Sequence, residues 1–248
     1  MKNRNILLIG FLFCTLRLFA QTEYTVNLYD AQRERIVPIA IYEPKHVNKH
    51  TPVIIFNHGY GQNAPDSYIS YLCLTKPLAM KGYYVISIQH ELPNDLPLAM
   101  SGNFMKTRMP NWERGVENIL FTIKEFKKFK PKLSWNNITI MGHSNGGDMA
   151  MLFAAKHPTM AQKIISLDHR RMVMPRCSSP KVYTLRGSDY GADENVIPTV
   201  EEQQKYHISV IQLDDIKHGD MDNKGKREQH DTIPVSYTHL RAHETCAD

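Results

Sequence analysis

The stretch Ile138–Phe153, ITIMGHSNGGDMAMLF, decides the fold. An apolar run rich in β-branched residues stops at Gly142. A serine then stands between glycines, and a second apolar run begins after Gly146. The first run suits a buried strand and the second a helix. Gly142-His143-Ser144-Asn145-Gly146 therefore matches G-x-S-x-G at a strand-to-helix corner, the nucleophile elbow. A serine on so tight a turn is pushed above the sheet, and side chains on its neighbours would clash, hence the glycines. The helix that follows aims its first amides and its positive dipole end at the same place. An ordinary glycine-rich turn could carry the same five residues. The flanking strand and helix supply the context that the elbow requires.

The surrounding pattern fits that corner. From Thr51 onward short continuous apolar runs recur: PVIIFNHG, YYVISIQHE, NITIMGHS, KIISLD, KVYTLRG and ISVIQL. Such runs belong to strands buried on both faces, as in a parallel sheet. Amphipathic stretches such as WERGVENILFTIKEFKKF and GGDMAMLFAAKHP lie between several of them. Ahead of these, EYTVNLYD and RIVPIAIYEP alternate about AQRE and predict an antiparallel hairpin. The expected architecture is one α/β domain, a mostly parallel doubly wound sheet with an antiparallel N-terminal hairpin. In such sheets chemistry gathers at the strands' carboxyl ends.

The ends read differently. MKNRNILLIGFLFCTLRLFAQT places Lys2 and Arg4 before an apolar segment and a small residue at Ala20, which predicts a signal peptide over residues 1–20. Arg17 interrupts a run already short of a bilayer span, so secretion or periplasmic export is expected rather than a stable membrane anchor. Residues 235–248, VSYTHLRAHETCAD, resemble the translation of a sequencing adapter, leaving residues 21–234 as a hydrolase domain expected to be truncated at its C-terminus. His239 and His243 then carry no functional weight. Without these ends the net charge of +5 falls to +3, too mild to argue for nucleic acid. Cys73 and Cys177 remain in the body, where a bridge and two free thiols are equally compatible with the sequence.

A lone serine is a poor nucleophile and needs a base. His218, in DDIKHGDM, follows the last predicted strand. In the chain order serine, acid, histidine, that is where an α/β-hydrolase keeps its base. His58-Gly59-Tyr60-Gly61 follows an early strand and looks like the H-G-x-G segment of lipases and esterases. The backbone amides of Tyr60 and Asn145 would then form the oxyanion hole. Three acids stand at strand ends or just beyond: Asp168, Asp189 and Asp193. Any of them could orient the imidazole. His90-Glu91 offers too few ligands for a metal, and neither metal nor cofactor is expected.

Together PVIIFNHGYG, YYVISIQHE, GHSNGG and SLDHRRMVMP resemble the secreted platelet-activating-factor acetylhydrolases and, more distantly, the chlorophyllases. The resemblance implies an α/β-hydrolase fold and a serine esterase with a small-molecule ester substrate. It favours Asp168 as the acid, inside an L-D segment, with Asp189 as the rival. Arg170 and Arg171 stand where the acetylhydrolases carry apolar and aromatic residues, which argues against a phospholipid. These arginines would hold an anionic group on the substrate or form a solvated basic surface. Only twelve residues separate Asp168 from Lys181, too few for a lid domain. The loop after Glu91, with Leu96, Leu98, Met100, Phe104, Met105 and Met109, could wall an acyl pocket. The same triad would also serve an acyltransferase or a peptidase, and the fold alone would serve a binding protein.

Overall fold

In the computed structural model residues 22–233 are described. The expected signal peptide and adapter-like tail lie outside them. Eight strands form one sheet: β1 Thr22–Asp30, β2 Arg35–Glu43, β3 Pro52–Asn57, β4 Tyr84–Ile88, β5 Ser134–His143, β6 Lys163–Leu167, β7 Lys181–Arg186 and β8 Ser209–Gln212. Their order is β1-β2-β4-β3-β5-β6-β7-β8. β1 pairs antiparallel with β2, and β2 antiparallel with β4; every later pairing is parallel. Among the described residues the α-helices are α1 Leu72–Met80, α2 Phe104–Thr107, α3 Met109–Phe129, α4 Asn145–Lys156 and α5 Val200–Tyr206. α3 starts three residues before the predicted amphipathic stretch, with Pro110 in its first turn, where a missing N–H costs nothing.

The apolar runs are continuous because both faces of the sheet are covered. Ile39, Ile41, Val53, Ile55, Ile138 and Ile140 point to one core, shared with Trp112, Val116 and Ile119 of α3 and Met149 to Ala154 of α4. Their neighbours Ala40, Tyr42, Ile54, Phe56 and Met141 point to the other, shared with Leu74, Leu78 and Ala79 of α1. Period-two alternation thus persists in side-chain direction although polarity does not alternate. The segment from Asp168 to Pro180 joins β6 to its parallel neighbour β7 and contains no helix. Cys73 and Cys177 are both free thiols.

Two glycines let α4 pack against the sheet. A Cβ on Gly142 would meet the Gly146 carbonyl oxygen at 2.2 Å, and one on Gly146 would meet the Asn57 oxygen at 2.2 Å and the His58 oxygen at 2.4 Å. These obstacles are backbone and cannot rotate away. Gly146→Ala is expected to cost at least about 2 kcal/mol, a fall in Tm of roughly 4–8 °C for a chain of this size. Gly191→Ala, whose added Cβ meets nothing within 4 Å, is the control and should stay within about 0.5 kcal/mol. Thermal unfolding followed by circular dichroism separates the two.

Candidate active site

β5 delivers Ser144 to the carboxyl end of the sheet, where the backbone turns abruptly: φ is 51° and ψ −118°. A serine in this region is strained by the order of 1–3 kcal/mol. The turn is held on both sides. The Ser144 amide donates to the Leu167 carbonyl at 2.8 Å, and its own carbonyl accepts from Asp148 N–H at 3.0 Å, opening α4.

His218, which begins a short 3-10 turn after β8, faces that serine. Its Nε2 lies 3.0 Å from Ser144 Oγ, and its Nδ1 lies 2.6 Å from Asp168 Oδ2. An ionised carboxylate only accepts, so Nδ1 carries the hydrogen and Nε2 is left to accept from the serine hydroxyl. The Asp168 side chain is wholly buried. Burial alone would raise its carboxyl, but the His218 ring, the Arg186 guanidinium 2.8 Å from Oδ1 and the Gly187 N–H outweigh it and hold the pKa below the ordinary value.

The other two acids are engaged elsewhere. Asp189 Oδ1 accepts from the backbone N–H of His218 at 2.7 Å, so it supports the loop rather than the ring. Asp193 is paired with Arg171. Of the three acids read from the sequence, the structure brings only Asp168 to the imidazole.

Tyr60 and Asn145 both border the space at Ser144. Asn145 is the first residue of α4, where an amide has no partner within the helix. Its side chain is tied into a buried polar set that the sequence reading missed. Asn145 Oδ1 accepts from Trp112 Nε1 at 2.8 Å, and its Nδ2 donates to Asn111 Oδ1 at 2.9 Å and Glu91 Oε1 at 3.2 Å. The segment carrying Tyr60 is anchored too: the Gly59 N–H donates to Tyr71 Oη at 2.9 Å, and His58 Nδ1 reaches the Gly59 carbonyl at 2.6 Å. Tyr71 in turn lies 2.7 Å from Nδ1 of buried His143. Burial and the neighbouring His218 push His143 down to about 3, so it stays neutral where its ring packs 4.6 Å from that of His218. Glu91 carried a faint signal, a charge closing an apolar strand; Tyr71 carried none. His90 bonds to Asn57 Oδ1 at 2.9 Å and Glu91 Oε1 accepts from Asn111 and Asn145, while Glu91 Oε2 is buried without a hydrogen-bond partner. Among the described residues no group of three or more His, Cys, Asp or Glu is arranged to hold a metal ion.

Ser144 borders two spaces. A cleft of about 460 Å³ includes His218, Gly219, Tyr71 and Ser67. A smaller cavity of about 250 Å³ includes Asn145, Asp148, Leu98, Met100 and three arginines, Arg108, Arg170 and Arg171. Leu98, which is buried, and Met100, which is largely exposed, border this cavity, whereas Leu96, from the same loop, is exposed and does not.

Asp148 lies beneath that cavity, with Oδ1 accepting from Arg171 N–H and Met172 N–H at 2.9 Å each. Burial pushes its carboxyl up to about 6, above the unfolded value of 3.8. The folded state therefore holds the proton more tightly, and stability falls as pH rises from the unfolded value through the folded one. Asp148→Asn keeps an acceptor for both amides and removes the buried charge. It should stabilise the protein by about 1–3 kcal/mol at pH 8, with the gain vanishing toward pH 4. Urea midpoints measured across that range decide it.

These residues fall within a recognisable lineage. A "Probable serine hydrolase" of Drosophila melanogaster is 43% identical over 37 residues, 15% of this chain and 11% of that protein. A "Serine hydrolase-like protein" of Mus musculus is 26% identical over 101 residues, 41% of this chain and 31% of that protein. The matched parts are thus less than a third of either relative. Thermogutta terrifontis esterase 2, phosphoramylated by tabun, superposes with a TM-score of 0.63 over 88% of this chain and 94% of its own, at 11% identity, a likeness of fold. The BD-FAE family model matches residues 39–174, more than half of the chain, spanning the Tyr60 segment, Ser144 and Asp168, and the chain belongs to that family.

Proposed function

We propose that this protein is a serine hydrolase of carboxylic esters that works through an acyl-enzyme on Ser144. The observation that carries this reading is the unbroken hydrogen-bonded line Asp168–His218–Ser144, with spacings of 2.6 and 3.0 Å. Names of relatives and the esterase fold of the neighbour support it.

In this mechanism the Ser144 hydroxyl attacks the ester carbonyl while His218 Nε2 takes its proton. The tetrahedral oxyanion is met by the amides of Tyr60 and Asn145, each such donor contributing about 3 kcal/mol. The imidazolium returns its proton to the leaving alcohol, with Asp168 stabilising the charged ring. Water, activated by the same histidine, then releases the acid and restores Ser144. We place the enzyme outside the cytoplasm, on the strength of Lys2, Arg4 and the apolar segment after them. A closer kinship to the acetylhydrolases and chlorophyllases rests on the four segments quoted above.

Two measurements test this. A fluorophosphonate probe should label the wild type and not Ser144→Ala; a properly folded wild type that remains unlabelled makes this a binding protein on a hydrolase fold. In nitrophenyl ester turnover, Asp168→Asn should lower kcat by about two to four orders of magnitude through the wrong imidazole tautomer. Asp189→Asn, which weakens only a backbone contact, should cost about tenfold or less. The reverse ranking would transfer the orienting role to Asp189.

A further inference from the structure

The cavity on the Asn145 side of Ser144 has an unusual electrostatic design. Arg108, Arg170 and Arg171 border it together with Asp148. Arg171 is neutralised by Asp193. Among the described residues no carboxylate lies within ion-pair distance of Arg108 or Arg170. Aromatic faces hold these guanidinium groups instead. Arg170 stacks 4.0 Å from the centre of the Tyr190 ring, and the Phe104 ring has Arg108 at 4.3 Å and Arg171 at 4.5 Å.

Stacking fixes a guanidinium plane while leaving its N–H edge unspent. Arg170 Nε is buried and without a hydrogen-bond partner. Arg108 spends its Nε on the Ala99 carbonyl at 2.8 Å and offers a second nitrogen only to the Met100 sulfur at 3.8 Å. Asp148 is the opposing charge, and its Oδ1 is already occupied by two backbone amides. The cavity therefore keeps a net positive charge and several unused donors.

We propose that this cavity is an anion subsite for the acyl group, so that the preferred substrates are esters of acids carrying a second negative group, such as half-esters of dicarboxylic acids. This rests on the ester-hydrolase reading above. The side follows from proton transfer: His218 must protonate the departing alcohol, so the alcohol lies in the cleft that contains His218. The acyl chain enters the other space, past Leu98 and Met100, and ends at Arg108 and Arg170.

The test compares kcat/KM for mono-4-nitrophenyl adipate and 4-nitrophenyl hexanoate, which share chain length and leaving group, each corrected by a Ser144→Ala blank. The wild type should favour the adipate by about tenfold or more, mainly through KM, with the preference fading as salt is raised. Arg108→Gln and Arg170→Gln should each reduce the ratio severalfold, and Arg170→Lys should retain part of it. A matched pair with the charge on the alcohol, 4-acetoxybenzoate against phenyl acetate, should show no such preference.

Hexanoate turnover with a wild-type ratio of one or less overturns the subsite and leaves the hydrolase intact. A preference that survives both glutamine variants, or that appears on the alcohol-side pair instead, overturns the assignment of the arginines. No turnover of any of these esters, together with no fluorophosphonate labelling, removes the hydrolase reading and the subsite with it. The wild-type comparison decides even where a variant fails to fold.

Discussion

The site depends on a close approach of backbone to backbone at the end of β5. Ser144 can hold φ at 51° only because α4 begins immediately after it and lies hard against β3. That contact leaves no room for a Cβ at Gly142 or Gly146. The strain in one residue is thus offset by the packing of a whole helix, whose residues from Asn145 to Ala154 are all buried. A loop serine could be as exposed, but it would relax to an ordinary conformation and lose its direction. The cost of order 1–3 kcal/mol is one that a core of this size can bear.

Behind the serine the protein trades apolar packing for a buried polar layer. Glu91, Asn111, Trp112 and Asn145 exchange hydrogen bonds in a region almost without solvent. Burying a carboxylate is expensive unless donors meet it, and Glu91 Oε1 receives two amides. The return is directional: the Asn145 side chain is pinned at three points, so the amide at the head of α4 is pinned as well. Tyr71 does the same for the facing segment through Gly59. Preorganised donors of this kind spend no reorganisation energy when charge develops on a substrate oxygen.

How much of this was legible depended on the range of the interaction. The strands could be read because burial on both faces leaves a local mark, uninterrupted apolar residues, and the elbow because its glycines are adjacent in the chain. Ser144 and His218 followed from strand ends. The acid did not, because Asp168 and Asp189 both close apolar strands and Asp193 follows on the same loop. Choosing among them requires knowing which carboxylate meets a ring and which meets an N–H, a matter of a few ångströms set by the β7 and β8 loops. Tyr71 and Asn111 were invisible for the same reason: their partners are distant in sequence, and a tyrosine or asparagine on a helix is unremarkable.

A single loop joins the two halves of the site. Asp168 directly follows β6 with a positive φ of 52°, which turns the chain out of the sheet while its carboxylate stays beneath His218. The next residues are bound in sequence: the His169 carbonyl accepts from Arg186 at 2.5 Å, Arg170 stacks on Tyr190, and the Arg171 and Met172 amides sit on Asp148. Arg186 also reaches Asp168, and Tyr190 packs edge-on to the His218 ring. The carboxylate that orients the base and the guanidinium that borders the cavity are therefore two residues apart on one rigid turn. Four carboxylates on this side of the site have fixed donors: the ring for Asp168, a backbone N–H for Asp189, Arg171 for Asp193 and two amides for Asp148. These four negative charges are thereby committed to the flanks of the site, and the proposed oxyanion hole and anion subsite draw on the donors left between them, at Tyr60, Asn145 and the arginines.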